Sequence, residues 1–146
     1  EDFIRNQLLK PMGIINYGWQ EDLSGLPKSA AGSSVLSRDM IKMGLLTLNK
    51  GIWNGKQHLP KEFVKQATSP LVQTSPSTFY GYFWWNQTLD IGDRKYDSIQ
   101  GRGAGGQFIF IIPTLELVIS ATAHNQGMGK MRAQLPHYLI PAFSKN

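Results

Sequence analysis

The hydrophobic pattern of this chain changes period once, near residue 78. Before that point apolar residues recur at helical spacing. Ile4 and Leu8 share one face, which predicts a short helix over Asp2–Lys10 stopped by Pro11. Met12-Gly13-Ile14 makes a sharp exit. Residues Asn16 to Ser34 are rich in Gly, Ser, Pro and Asp without a period, which predicts a long surface loop of the kind that is often functional. Ser37 is a credible N-cap, with Arg38-Asp39 in the first turn, Ile41, Leu45 and Leu48 on one face, and Asn49-Lys50-Gly51 as the stop. Trp53-Asn54-Gly55-Lys56 reads as a tight turn around Asn-Gly. Pro60 opens a second helix to about Thr68, and Pro70 and Pro76 bracket a further loop.

From Thr78 onward the pattern is that of strands. Phe79–Trp85, Lys95–Ile99, Phe108–Ile112 and Leu117–Thr122 are dense in aromatic and β-branched residues. The links between them are short: Asp90–Asp93, the glycine-rich Gly101–Gly106, and Pro113–Glu116. An antiparallel meander follows from such links. Lys130–Phe143 reads as a closing helix that contains Pro136. The expected fold class is α+β: an antiparallel meander with helices packed on one face. It is one segment, mainly helix and loop over about 1–70 and strands plus a closing helix over about 78–146.

Composition narrows the function classes. The 146 residues are 41% hydrophobic and 17% charged, an ordinary globular balance with material for one core. The net charge of +5 is carried by scattered Lys and Arg without a basic run, which argues against a nucleic-acid partner. The absence of cysteine excludes a disulfide framework and a thiolate metal site. The longest apolar run, Phe108–Ile112, is too short for a transmembrane segment. Glu1 rather than Met stands first, with Asp2 already in a helical pattern, so the chain is expected to begin mid-protein.

Gly101-Arg102-Gly103-Ala104-Gly105-Gly106 matches G-x-G-x-x-G. As a dinucleotide fingerprint it needs a helix after it, and a β-rich run ending in Pro113 follows instead. A kinase glycine loop needs a lysine on the next strand, and Leu117–Thr122 has none. Two readings stay open. Glycines let backbone N–H groups approach a ligand, as at an oxyanion site. Equally, they serve a β-bulge or close packing.

Several segments resemble one family in its order. Leu9-Lys10-Pro11-Met12-Gly13-Ile14 is similar to its L-x-P-L-G-M/I element. Ala30–Ser34 with Leu36-Ser37-Arg38-Asp39-Met40 is similar to A-G-G-L-x-S-x-x-D-L. Gly51–Pro60 resembles G-x-W-N-G-K-x-I-L-P, and Tyr80–Trp85 resembles Y-G-Y-G-W-W. Gly103–Gln107 with Ile112-Pro113 and Leu115–Val118 resembles the G-x-G-G-Q … P-x-L-D-L-V hairpin. This is the serine β-lactamase-like family, which includes class C β-lactamases, penicillin-binding D-Ala-D-Ala carboxypeptidases, esterases and 6-aminohexanoate oligomer hydrolases. The resemblance runs from about Asp2 to about Thr122 and implies the C-terminal part of a β-lactamase/transpeptidase-like fold.

The resemblance also implies chemistry. Such proteins acylate a serine in S-x-x-K, assisted by the tyrosine of Y-x-N, because an unassisted hydroxyl is a poor nucleophile. Neither motif occurs in these 146 residues, and in the family both precede the helix that Asp2–Lys10 resembles. The third family motif, K/H-T/S-G, falls by position on Gly101-Arg102-Gly103. Gly103 matches, whereas Arg102 replaces Thr or Ser and Gly101 replaces Lys or His. These three are the candidate substrate-binding residues, with Arg102 either holding an anionic group or standing as a solvated charge. The Ala104 N–H is the candidate strand-side oxyanion donor. The implied activity is hydrolysis of a small-molecule or peptide-like amide or ester, with no cofactor or metal. The same chain without the missing motifs is expected to be inactive. Export to the periplasm follows by family analogy alone. A non-catalytic peptide- or glycan-binding module on the same fold is the rival reading.

Other residues suggest less. His58, His124 and His137 are far apart and show no metal spacing, and a Ser98/His124/Asp97 triad has no further support. Trp84 and Trp85 alternate across a strand, one for the core and the other free for a cleft. Tyr17 and Trp19 read as loop anchors or a cleft wall, and Asn86-Gln87-Thr88 fits a glycosylation sequon that arises often by chance. Without upstream strands the sheet is expected to leave an edge open, for the missing N-terminal segment or a homo-oligomer partner to cover.

Overall fold

The computed structural model describes residues 2–29, 31–124 and 128–144. Ala30 of the A-G-G-like stretch lies outside the described residues. Helix α1 (Asp2–Ile4) continues as a π-type turn over Arg5–Leu9 and ends at the Lys10–Gly13 turn. Strands β1 (Tyr17–Trp19) and β2 (Ser33–Val35) then pair antiparallel, with Gly18 opposite Ser34. The expected surface loop is therefore closed at its base by a small ribbon. Its strands are three residues each and mostly exposed, so they carry no hydrophobic alternation to read.

Helix α2 (Ser37–Leu48) starts at the expected cap itself, one residue earlier than expected, with Leu36 at the N-cap position. Ser37 is its first residue and does not cap it. Its hydroxyl lies 2.9 Å from Thr122 Oγ1, and its carbonyl accepts from Ser120 Oγ at 3.0 Å. A tertiary contact has taken the hydroxyl that a local cap would use. Strands β3 (Ile52–Trp53) and β4 (Lys56–Gln57) flank Asn54 and Gly55, both at positive φ, as the Asn-Gly signal predicts. Helix α3 spans Lys61–Ala67, with Pro60 at the N-cap position.

Six strands form the main sheet. They are β5 (Val72–Ser75), β6 (Thr78–Gly81), β7 (Trp84–Ile91), β8 (Arg94–Gly103), β9 (Gln107–Ile112) and β10 (Leu117–Ala121). Their spatial order is the sequence order, an antiparallel meander. Two details depart from expectation. The Pro70–Pro76 loop contains an exposed edge strand, β5. The single strand expected over Phe79–Trp85 is two strands joined at Tyr82-Phe83, both at positive φ. Helix α4 (Met128–Phe143) runs on through Pro136 and Pro141. Pro136 is fully buried, so packing on the sheet offsets the hydrogen bond that proline cannot donate.

Helices cover both faces of the sheet rather than one. Phe108, Phe110, Ile112 and Ile119 point one way and form the main core with Ile140, Leu135, Leu139 and Met131 of α4. On the other face α2 packs on β9 and β10. Gly44 permits this approach, because a Cβ there would stand 2.5 Å from Val118 Cγ1 and 3.0 Å from Ile109 Cγ2. A second cluster of Leu9, Met12, Ile14 and Leu46 fastens the N-terminal segment to α2.

In an open helix, Gly→Ala gains up to about 1 kcal/mol. At Gly44 the new methyl meets a stiff β-branched side chain, and overpacking of that kind costs about 1–3 kcal/mol. Gly44→Ala is expected to lower stability in urea unfolding. Gly129→Ala, with no atom within 4 Å of the added Cβ, is expected to leave it unchanged or raise it.

Candidate functional site

The glycine-rich segment is the end of one strand and the turn into the next. β8 runs to Gly103, Ala104–Gly106 turn the chain, and β9 starts at Gln107. Gly105 and Gly106 adopt φ of +78° and +100°, which few L-residues tolerate. A Cβ on Gly106 would also stand 2.9 Å from Met131 Cε and 3.0 Å from Ala123 Cβ. The turn is thus pinned to the end of β10 and to α4. Gln107 Nε2 adds a hydrogen bond to the Ala123 carbonyl at 2.5 Å.

Register leaves part of β8 with a single neighbour. Trp85 faces Gln100 across the β7–β8 pair, and β7 begins one residue earlier at Trp84. Arg102 and Gly103 pair with Phe108 and Gln107 of β9, and β7 does not extend alongside them. The main chain at Arg102–Ala104 therefore runs past the sheet on the β7 side. Ala104 itself is exposed. Backbone groups of such an overrun that point away from β9 have no strand to pair with on the β7 side.

A cleft of about 1070 Å³ adjoins this strand end. Arg102, Gly103, Ala104, Gln107 and Ile109 border it on the sheet side, whereas Gly101 does not, with Asp39, Met40 and Met43 on the α2 side and Tyr17–Trp19 on the ribbon side. Tyr17 and Trp19 combine the two roles expected of them. Tyr17 packs on the Leu9–Met12–Ile14 cluster and Trp19 Nε1 donates to the Lys28 carbonyl at 2.7 Å, while both border the cleft. Asp39 is 4% exposed and pairs with Lys42 at 2.7 Å, and Lys42 Nζ also donates to the Gly13 carbonyl at 2.9 Å. This buried pair ties the Met12–Ile14 exit to α2. Only the i, i+3 spacing of Asp39 and Lys42 could have signalled it.

Strand alternation divides the candidate residues. Gly101 and Gly103 lie on the α2 face with Ile109, whereas Arg102 lies on the α4 face with Gln100 and Phe108. The Arg102 guanidinium is partly buried there. Its Nε donates to Gln100 Oε1 and its Nη2 to Gln87 Oε1, each at 2.9 Å, and it stacks 4.5 Å from the centre of the Trp85 ring. Gln100, fully buried, donates in turn to Ser98 Oγ at 2.6 Å, and Ser98 donates to the Gln87 carbonyl at 2.6 Å. Burial first, and the nearby Arg132 second, lower the Arg102 pKa to about 10. Because that is below its ordinary value, the folded state holds this proton less firmly than the unfolded one. The resulting penalty is present throughout neutral pH and eases only above about pH 10. A freely solvated surface charge does not describe this residue. The polar network was not anticipated from sequence, since its members come from two strands and meet only in register.

Other candidates separate. Asp97 and Ser98 are consecutive strand residues on opposite faces, with Asp97 Oδ1 accepting from Thr88 and Ser98 engaged with Gln87, so the drawn triad does not assemble. Trp85 packs against Tyr80 with ring centres 4.6 Å apart, on the α4 face. Trp84 lies on the other face, within 3.8 Å of a Cβ position on Gly101. The Asn86 Nδ2 is buried inside β7, where a glycosylating enzyme cannot reach it. Among the described residues no three His, Asp or Glu cluster as metal ligands, and no helix is long and apolar enough to cross a membrane.

Similar structures share this architecture. A protein described as a 6-aminohexanoate-dimer hydrolase from Bacillus anthracis superposes with a TM-score of 0.70 at 22% identity, over 95% of this chain and 38% of its own. A protein described as a β-lactamase from Bacteroides dorei gives 0.61 at 15% identity, over 86% and 45%. A penicillin-binding protein from Bacillus halodurans gives 0.67 at 16% identity, over 94% and 49%. No protein-family model matches the sequence, and no curated protein matches it. The chain therefore has the fold of a portion of β-lactamase/transpeptidase-like proteins, and spans less than half the length of these structures.

Arg102→Leu would leave Gln87 Oε1 and the buried Gln100 Oε1 without their donor. A stability loss of about 1–3 kcal/mol is expected in denaturant unfolding. Lys42→Met is expected to cost about 1–3 kcal/mol by the same measurement, because it removes the charged donor from the Asp39 carboxylate, which itself is buried beside the cleft.

Proposed function

We propose that this chain forms the sheet-side wall of a serine hydrolase that cleaves an amide or ester through an acyl-serine intermediate. One observation carries the reading: the glycine-flanked end of β8 outruns β7 and borders a large, mostly apolar cleft. The ordered sequence resemblance and the shared fold support it.

In this reading the nucleophile belongs to polypeptide upstream of Glu1, in S-x-x-K, with a Y-x-N tyrosine relaying its proton. Serine oxygen attacks the substrate carbonyl, and the negative charge that develops on the carbonyl oxygen is met by the Ala104 N–H. The amine or alcohol leaves with a proton, and water then hydrolyses the acyl-serine. Gly103, which borders the cleft, lacks a side chain there and so allows close approach of substrate to the strand. Arg102 serves the site from behind. Its two glutamine contacts and its stack on Trp85 hold the strand end in position. The outermost strands of the sheet, β5 and β10, and the open cleft are covered by the upstream polypeptide or by a second copy of the chain.

The 146 residues alone are expected to give no turnover of a chromogenic ester or cephalosporin. Light scattering of the same material is expected to show self-association, and a monodisperse monomer at high concentration would contradict the coverage argument. In the protein carrying the upstream S-x-x-K, Ala104→Pro removes the proposed donor and is expected to lower kcat by about 10²–10³ with little change in KM. Upstream sequence without S-x-x-K and Y-x-N would favour a non-catalytic peptide- or glycan-binding module.

A further inference from the structure

We propose that Asn54 is a site of spontaneous covalent modification in the folded protein. The Gly55 main-chain nitrogen displaces the Asn54 side-chain amide and leaves an isoaspartyl link at the tip of the β3–β4 hairpin. The inference is independent of the serine-hydrolase reading.

The reaction needs an asparagine whose following nitrogen can reach its side chain. Asn54 precedes Gly55, and no other asparagine of the chain precedes a glycine. A side chain on the following residue would crowd that nitrogen, and glycine has none. A Cβ added at Gly55 would meet no atom within 4 Å, so this part of the turn stands in open space.

Both reacting groups are also unengaged. Gly55 lies between the paired residues Trp53 and Lys56, and its N–H has no acceptor among the described residues. The Asn54 carboxamide makes no hydrogen bond among them either. Asn54, Gly55 and Lys56 are exposed, so water and hydroxide reach the site. Asn86 is the contrast: its Nδ2 is buried inside β7, and Gln87 follows it. The turn holds φ of +48° at Asn54 and +76° at Gly55, the backbone for which Asn-Gly is the favoured pair. The residues selected for the shape of this turn are therefore also the pair with the fewest obstacles to reaction.

The step consumes only water. Hydroxide takes the Gly55 N–H proton, and the nitrogen bonds to Asn54 Cγ. A five-membered succinimide closes, the Cγ–Nδ2 bond breaks, and Nδ2 leaves as ammonia. Water then opens the ring at one of its two carbonyls. Opening at Cγ gives aspartate. Opening at the main-chain carbonyl gives isoaspartate, in which the chain runs through Cβ and Cγ. Nothing is oxidised or reduced, and a neutral amide becomes a carboxylate beside Lys56.

An isoaspartyl link lengthens the main chain of a two-residue loop, and loop length fixes hairpin register. The pairs Ile52–Gln57 and Trp53–Lys56 depend on that register. Trp53 packs on the cluster of Leu9, Met12, Ile14 and Leu46, and Gln57 Nε2 donates to the Lys50 carbonyl at 2.8 Å. Modification at the tip therefore loosens the fastening of the N-terminal segment to α2.

The test ages the 146-residue chain in mildly alkaline buffer, folded and in urea, and follows the peptide that carries Asn54 by mass spectrometry. Isoaspartate is identified by labelled methyl transfer from S-adenosylmethionine with a protein isoaspartate methyltransferase. The folded chain is expected to lose ammonia at Asn54 at a rate comparable with the unfolded chain, in proportion to hydroxide concentration, and to give mostly isoaspartate. Ageing is expected to lower its melting temperature by about 2–4 °C. Asn54→Gly, which accepts positive φ and has no carboxamide, should show neither change. A folded chain that stays intact while the unfolded chain reacts, a mass change mapped to another asparagine, or aspartate as the only product would overturn the proposal. Full conversion to isoaspartate with an unchanged melting temperature would overturn its structural consequence.

Discussion

Where the β6–β7 hairpin reverses decides what the rest of the sheet can do. The chain turns at Tyr82-Phe83, so β7 starts at Trp84 and has no residues to lay alongside Arg102 and Gly103. A hairpin two residues longer would pair those groups and close the edge. The ladder of β8 with β9 keeps the overrun extended, and the Gly105-Gly106 turn, packed on Ala123 and Met131, holds its far end. An edge that is both rigid and unpaired is what electrostatic stabilisation of a developing charge requires, since donors fixed in advance need no reorganisation.

The sheet separates two tasks by its two faces. Toward α4 it carries the large apolar residues, and among them the network of Arg102, Gln100, Ser98 and Gln87. Toward α2 it carries glycine at 101 and 103 and borders the cleft. Arg102, between two glycines, thus braces the strand from the α4 face and also reaches the border of the cleft beside Gly103 and Ala104. Gly44 lets α2 sit close on β9 and β10, and the Ser37 contacts with Ser120 and Thr122 fix its first turn beside the same cleft.

Strong local signals were legible. The Asn54-Gly55 turn, the two helices after Ser37 and Pro60 and three of the four late hydrophobic runs stand where patterning puts them, while the bend expected over Gly101–Gly106 narrows to Ala104–Gly106 because β8 runs on to Gly103. Local signals misled where tertiary contacts competed. Ser37 has the chemistry of a cap, yet its hydroxyl is used by Thr122. Phe79–Trp85 has the aromatic density of one strand, and β-propensity hid the reversal within it. β1, β2 and β5 escaped because short, largely exposed strands have no buried face to impose alternation.

The amino-acid sequence by itself determined the α+β class, the antiparallel order and the glycines around residue 103, because periodicity, turn chemistry and short links act between near neighbours. Only the tertiary structure decided which way each residue faces. It placed helices on both sides of the sheet, turned Arg102 away from Gly101 and Gly103, paired Asp39 with Lys42 in a buried site, and left the end of β8 without a second neighbour. Strand register governs these outcomes, and a shift of one residue exchanges the two faces while leaving the local pattern of the chain unchanged.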